Sequence, residues 1–196
     1  TTAHTTAYSE TRRPFSDMYI TALHLVFIEF GLPTVLLGVA WPEMHKSFGL
    51  PVSAAGFVNA VIVGAMACAN TFSVRMIERL GTFRAMAVSS SVFTVALCLA
   101  AFTGGIVSFL AVMVVYGLAC GCLNTVVTNH AAIHHSSRRM NLLSSTWCVG
   151  VMSGGWLMSV GICGPFSWRL GYFFVGICSF AITVFAVLSR RSWPAD

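Results

Sequence analysis

Apolar runs recur along almost the whole chain, and each is long enough to supply the ~20 helical residues that cross a ~30 Å hydrocarbon core. Inside such a core every backbone polar group must find a partner within the protein, so runs of this length must be helical. Six spans are expected, at about 18–41, 53–73, 85–103, 106–129, 140–163 and 170–189. Composition agrees: 57% of the 196 residues are apolar and only 9% are charged, against roughly 25% charged in soluble domains. Too few polar side chains exist to cover a water-facing surface. The sequence therefore predicts an all-α integral membrane protein. It has a polar tail at 1–17, a transmembrane domain at 18–189, and the start of a cytoplasmic loop or tail at 190–196.

The tail lacks the apolar core and small-residue cleavage site of a signal peptide, so the first span is expected to act as the signal anchor. The chain starts without Met, which reads as a processed or trimmed N-terminus. With the N-terminus cytoplasmic, the inside segments hold Arg12, Arg13, Arg75, Arg79, Arg84, Arg138, Arg139, Arg190 and Arg191, and the outside segments only Lys46 and Arg169. That asymmetry is the positive-inside pattern. It predicts a multi-pass plasma-membrane protein with both termini cytoplasmic. The net charge of +5 is then topology and attraction to anionic lipid. It does not mark a nucleic-acid surface, which needs a basic, aromatic-interleaved soluble face. The seven cysteines fall in or at the ends of spans and read as small packing residues.

Helices in lipid associate through small residues that let backbones approach. The second span offers Gly56, Ala60, Gly64 and Cys68 at four-residue spacing; the fourth holds Gly117-x-x-x-Gly121 and then Thr125; the fifth holds Gly150-x-x-x-Gly154. These stripes predict a tight bundle. The loops after spans two and five share Arg79-Leu80-Gly81-x-Phe83 and Arg169-Leu170-Gly171-x-Phe173, 90 residues apart. An odd number of helices per unit inverts the copy, so the pattern predicts two inverted three-helix repeats.

The loop "SVRMIERLGTFRAM" resembles the signature after the second helix of the major facilitator superfamily: Glu78, Arg79, Gly81 and Arg84 match, while Val74 stands where the first Gly is usual. The segments at 30–44, 134–145 and 167–177 resemble the fucose permease-like branch of that family. Relatives carry an Asp where this chain has Thr34, an Asp where Asn124 aligns, and Gly-Pro where it has Gly154-Gly155. The resemblance covers the first six of twelve helices. It implies half of a major facilitator fold, a role for the loop residues in latching two halves on the cytoplasmic side, and transport of a small polar solute, a sugar in the fucose permease-like branch, by alternating access.

Glu29 is the one acid in the middle of a span, four residues before Pro33. Proline cannot donate to the carbonyl four residues back, so the helix opens at Glu29 itself. Broken helices near the midplane are where transporter sites are built. An ionised carboxylate there costs ~3 kcal/mol on translocon scales, and a proton is the simplest way to neutralise it. Glu29 reads as a proton carrier or polar-substrate ligand, or else as a protonated acid bonded to a neighbouring helix. Thr34, Asn59, Asn124 and Thr128 could share the cavity, or serve as interhelical hydrogen-bonding glue. Asn59 and Asn70, eleven apart, lie nearly in line. His24 is ~140° around the helix from Glu29, so a direct pair is not expected.

His130, His134 and His135 fit the H-x-x-x-H-H box of membrane di-iron oxygenases. Those enzymes need several boxes, and His4, His24 and His45 form no second one. No metal or other cofactor and no catalytic centre is therefore expected. The partners expected are a solute, a proton, the bilayer and a second six-helix half, whether from the same chain, a separate chain or a second copy. The competing expectation is a half-transporter that assembles without transporting.

Overall fold

The computed structural model describes residues 17–164 and 167–192. Arg12, Arg13, most of the 1–17 tail and residues 193–196 lie outside them. Among the described residues, six helical spans are long and apolar enough to cross a membrane, from Met18–Phe48 to Trp168–Leu188. The first is in two pieces, α1 (Asp17–Gly31) and α2 (Leu36–Phe48); the others are α3 (Ala54–Leu80), α4 (Thr82–Ala101), α5 (Ile106–His134), α6 (Ser137–Cys163) and α7 (Trp168–Leu188).

The break falls where Pro33 requires it. The Thr34 amide turns back to the Gly31 carbonyl at 3.1 Å and the Leu36 amide to the Pro33 carbonyl at 3.2 Å, after which Val39 to Val35 resumes the helix. The first span runs to Phe48 and not to 41, because α2 stops only at Gly49, whose φ of +66° supplies the left-handed cap.

Glycines set two close seams. On α5, a side chain at Gly117 would meet the Ile62 carbonyl at 2.7 Å and one at Gly121 the Met66 carbonyl at 2.5 Å, so α3 lies directly on α5. Thr125 extends this seam, donating to the Asn70 Oδ1 at 3.0 Å. On α6, Gly150 and Gly154 meet the Ile28 and Leu32 carbonyls still more closely, and Gly31 of α1 answers against the Trp147 carbonyl. The α3 stripe behaves otherwise than its spacing predicts. Gly56 and Gly64 face open space and Cys68 is exposed, while Ala65 and Ala69 take the α5 glycines. One residue turns the helix by ~100°, so two parallel small-residue stripes cannot both face α5.

The packing has the symmetry of an inverted repeat. Exchanging spans one and four, two and five, three and six turns the α3–α5 contact into α6–α1, and α4–α5 into α7–α1; α4–α7 maps onto itself, and all are present. The Arg-Leu-Gly-x-Phe motif is not structurally equivalent in its two copies, however. Gly81 is a loop residue at φ +76°, ψ 158°, open to glycine alone, whereas Gly171 lies inside α7 against Met158.

Candidate functional site

Two polar regions border the first span, one enclosing Glu29 and one at the Pro33 break. In the first, Glu29 is fully buried. Ser90 donates to both its oxygens at 2.8 and 2.9 Å. Ser179, Thr183 and Thr94 donate to Oε1 at 2.9, 3.0 and 3.3 Å. The hydroxyls also touch one another: Ser90 and Thr183 at 2.7 Å, Thr94 and Thr183 at 3.1 Å, Thr94 and Ser179 at 3.2 Å. Residues four apart stack on one helix face, so α4 offers Ser90 and Thr94 and α7 offers Ser179 and Thr183 to the same acid.

Proton counting shows what this cage can hold. A carboxylate has about four acceptor sites and no proton, so it can take all four hydroxyl protons. A carboxylic acid brings a fifth proton and donates it to one hydroxyl, which then donates onward to a neighbouring hydroxyl. Either form is satisfied by rotating hydroxyls, with no movement of the backbone. The sequence did carry a signal for the cage that went unread. Ser-x-x-x-Thr occurs at 90–94 and again at 179–183, an offset of 89 that relates spans three and six as repeat partners.

Apart from this cage, a cavity of about 290 Å³ opens at the helix break, between Pro33 and Thr34 of the first span, Asn59 and Met66 of α3, Leu97 of α4, Tyr116 of α5, Trp147 of α6 and Tyr172 of α7. Thr34 is exposed, and its hydroxyl reaches only its own Phe30 carbonyl, at 3.4 Å. The buried Trp147 Nε1 has no hydrogen-bond partner. Glu29 does not line this cavity; its neighbour Phe30 does. Thr34 and Asn59 are thus brought together, and Glu29 is set apart from them.

Asn124 and Thr128 lie elsewhere. They line a separate gap between α1 and α5 of about 10 Å³, room for roughly one water. Thr128 donates to Asn124 Oδ1 at 3.3 Å.

The loop residues Glu78, Arg79 and Arg84 are exposed around Gly81, and among the described residues none of them forms an ion pair within the chain. Val74 points outward, 55% exposed. Arg190, in the short 3-10 turn Ser189–Ser192 that follows α7, lies over the Phe83 ring, 6.0 Å from its centre. The histidine box is organised around a phenol. The Tyr19 hydroxyl meets Nε2 of His130 at 2.9 Å and Nε2 of His135 at 3.2 Å, and His134 Nδ1 faces the His130 carbonyl at 3.0 Å. These contacts tie the start of α1 to the end of α5. Among the described residues no cluster of His, Cys, Asp and Glu is arranged to hold a metal. His24 bonds to the Ile20 carbonyl at 2.8 Å and makes no pair with Glu29.

Comparison with known proteins places this architecture. No curated protein sequence matches the chain. Among solved structures it is similar to a mutant peptide transporter, POT, in complex with sulfate: TM-score 0.64, 20% identity, 89% of this chain covered and 37% of that one. It is equally similar to the same transporter in complex with alafosfalin, at TM-score 0.64 and 22% identity, covering 89% and 38%. The chain thus spans well under half the length of those structures, and at such identity the likeness is one of fold. A sequence profile of the Major Facilitator Superfamily matches residues 23–195. The chain belongs to the Major Facilitator Superfamily, and its six spans are half of that fold.

Proposed function

We propose that the chain forms one half of a secondary transporter that moves a small polar, uncharged solute, with a sugar as the leading class, by alternating access. The observation that carries this reading is the cavity at the Pro33 break, to which every one of α1 to α7 contributes a wall residue and which bears Thr34 and Asn59. The opposite wall is a second six-helix half, supplied by the same chain, a separate chain or a second copy. Its docking face is the surface this half leaves uncovered, which includes Gly56, Gly64 and Cys68 of α3 and, on α6, Met152 (76% exposed) and Trp156 (68% exposed). Rigid rocking of one half against the other would expose the cavity to each side in turn.

The coupling ion in this reading is a proton carried by Glu29, since the hydroxyl cage accommodates the acid with and without it. The bilayer is the plasma membrane, with the arginine-rich end cytoplasmic. There Glu78, Arg79 and Arg84 meet the second half as a latch around Gly81, and Asn124 and Thr128 sit between the cavity and that end as a single-water relay. The test is uptake of labelled neutral solutes by the full protein in proteoliposomes, with and without a pH gradient. Glu29→Gln is expected to abolish gradient-driven uptake while leaving solute exchange intact. Arg79→Ala is expected to slow turnover several-fold. Gradient-driven uptake unchanged in Glu29→Gln would remove Glu29 from coupling.

One observation favours a second role for Glu29: it is sealed among three helices and makes no contact with the cavity. In that reading the cage is a static clamp holding α1 to α4 and α7. Glu29→Gln would then melt at a lower temperature and keep its coupling.

A further inference from the structure

Trp147 lies on the close seam between the first and fifth spans. Gly31 presses against its backbone carbonyl, so α6 cannot rotate there without a clash. Trp147 is one of the residues that line the cavity at the Pro33 break, and its Nε1, buried at the edge of that wall, has no hydrogen-bond partner among the described residues. A buried N–H left unpaired costs roughly 1–3 kcal/mol. Indole nitrogen can only donate, so the group that answers it must be an acceptor. The other residues with polar groups on this wall, Thr34, Asn59, Tyr116, Tyr172 and Cys120, are likewise uncharged. No Asp, Glu, Lys, Arg or His lines the cavity; the side chain nearest in sequence that could, Glu29, is enclosed by Ser90, Thr94, Ser179 and Thr183. An ion brought into a weakly polar site needs an opposite charge beside it, and this wall offers none.

We propose that Trp147 is the specificity-determining donor of the cavity, and that the solute it selects is uncharged and presents a hydroxyl or carbonyl oxygen to Trp147 Nε1. This rests on the transport reading above for the site's role, but it is tested by binding, which is independent of flux. The indole offers a donor that a phenyl ring lacks. Trp147→Phe therefore keeps the apolar cradle and removes one hydrogen bond, which changes affinity by about tenfold when the bond is worth the usual 1–1.5 kcal/mol.

The experiment is equilibrium binding to the intact detergent-solubilised protein. The uncharged probes are monosaccharides with their monodeoxy analogues, polyols and nucleosides; the charged ones are a monocarboxylate and a primary amine of similar size. The expected result is binding of at least one uncharged probe and of neither charged one. Trp147→Phe should weaken that probe about tenfold and leave the one deoxy analogue lacking the acceptor unaffected, as in a double-mutant cycle. Trp147→His, which retains a ring N–H, should recover part of the loss, and it serves also if the Phe variant does not fold. Binding of a charged probe alone, of no uncharged probe, or equal weakening of all analogues by Trp147→Phe would overturn the proposal. The two readings fail separately. Neutral binding without flux would leave Trp147 in place and remove transport. Flux of a charged solute would leave transport in place and remove this assignment.

Discussion

Two polar regions border the first span, and they are built on opposite terms. Around Glu29 every oxygen is answered: four hydroxyls from two helices close on one carboxyl, and no part of it reaches the cavity. At the Pro33 break, Thr34 is exposed and the Trp147 Nε1 is buried without a partner among the described residues. Buried polar groups are hydrogen-bonded unless something else is meant to complete them. A closed network fixes helices relative to one another. An open one has capacity left for a molecule that comes and goes. The difference separates the part of the half that holds its shape from the part that meets the solute.

Both regions depend on α1 lying against α6, so the strongest way to break the comparison is to lose them together. Gly154→Ala would set a methyl group onto the Leu32 carbonyl at the helix break. Backbone cannot yield as a flexible side chain does, and overpacking of this kind costs ~1–3 kcal/mol or more. Folded protein recovered in mild detergent should fall sharply. Gly56→Ala, on the exposed α3 stripe where a side chain meets nothing within this half, should leave the folded yield unchanged. Equal yields from the two variants would show that the α1–α6 seam is not what holds the half together.

The sequence made some of this legible and hid the rest, for definite reasons. The span count followed from apolar length, and the break from Pro33. The α5 and α6 glycines were read correctly as seams because Gly-x-x-x-Gly on one helix needs only a facing backbone. The α3 stripe misled because an identical spacing does not say which face of a helix meets its neighbour; Ala65 and Ala69, unremarkable in sequence, face α5 instead. Glu29 stood out as a mid-span acid, but its direction did not. A helix position fixes a residue's angle to its own neighbours, not to the other five spans. The hydroxyls of Ser90, Thr94, Ser179 and Thr183 are individually ordinary and acquire meaning only as two equivalent turns in repeat-related helices. Trp147 was missed altogether, since an indole in an apolar span looks like packing until its nitrogen is seen to lack a partner.

The next largest effect should come from emptying the cage. Glu29→Leu leaves four buried hydroxyls to pair only with one another, and an apolar branch among them. At ~1 kcal/mol for each hydrogen bond lost, the half should be less stable by roughly 2–4 kcal/mol, read as a lower melting temperature. Ser90→Ala removes the hydroxyl that reaches both carboxyl oxygens and should cost about 1–2 kcal/mol. Binding of a neutral solute should change little in Ser90→Ala, because the cage does not line the cavity. A Ser90→Ala variant that melts normally but binds poorly would merge the two regions into one site.

The smallest effect on stability, and the sharpest test of the comparison, belongs to the open side. Thr34→Val keeps the side chain's shape and β-branching while removing a hydroxyl whose only contact in the protein is a long 3.4 Å approach to the Phe30 carbonyl. Little folding energy rides on such a bond, so the melting temperature should stay within the scatter of ordinary surface substitutions, about 0.5 kcal/mol. If Thr34 faces the solute, affinity should nevertheless fall several-fold, in keeping with one neutral hydrogen bond. Asn59→Ala should behave in the same way. The two measurements therefore move in opposite senses between the two regions: cage variants shift melting and spare binding, cavity variants shift binding and spare melting. A Thr34→Val protein that loses stability while keeping its affinity would place that hydroxyl with the structural hydroxyls of the cage, and the solute would then have to be held by the remaining polar residues of the wall, Asn59, Tyr116, Trp147 and Tyr172.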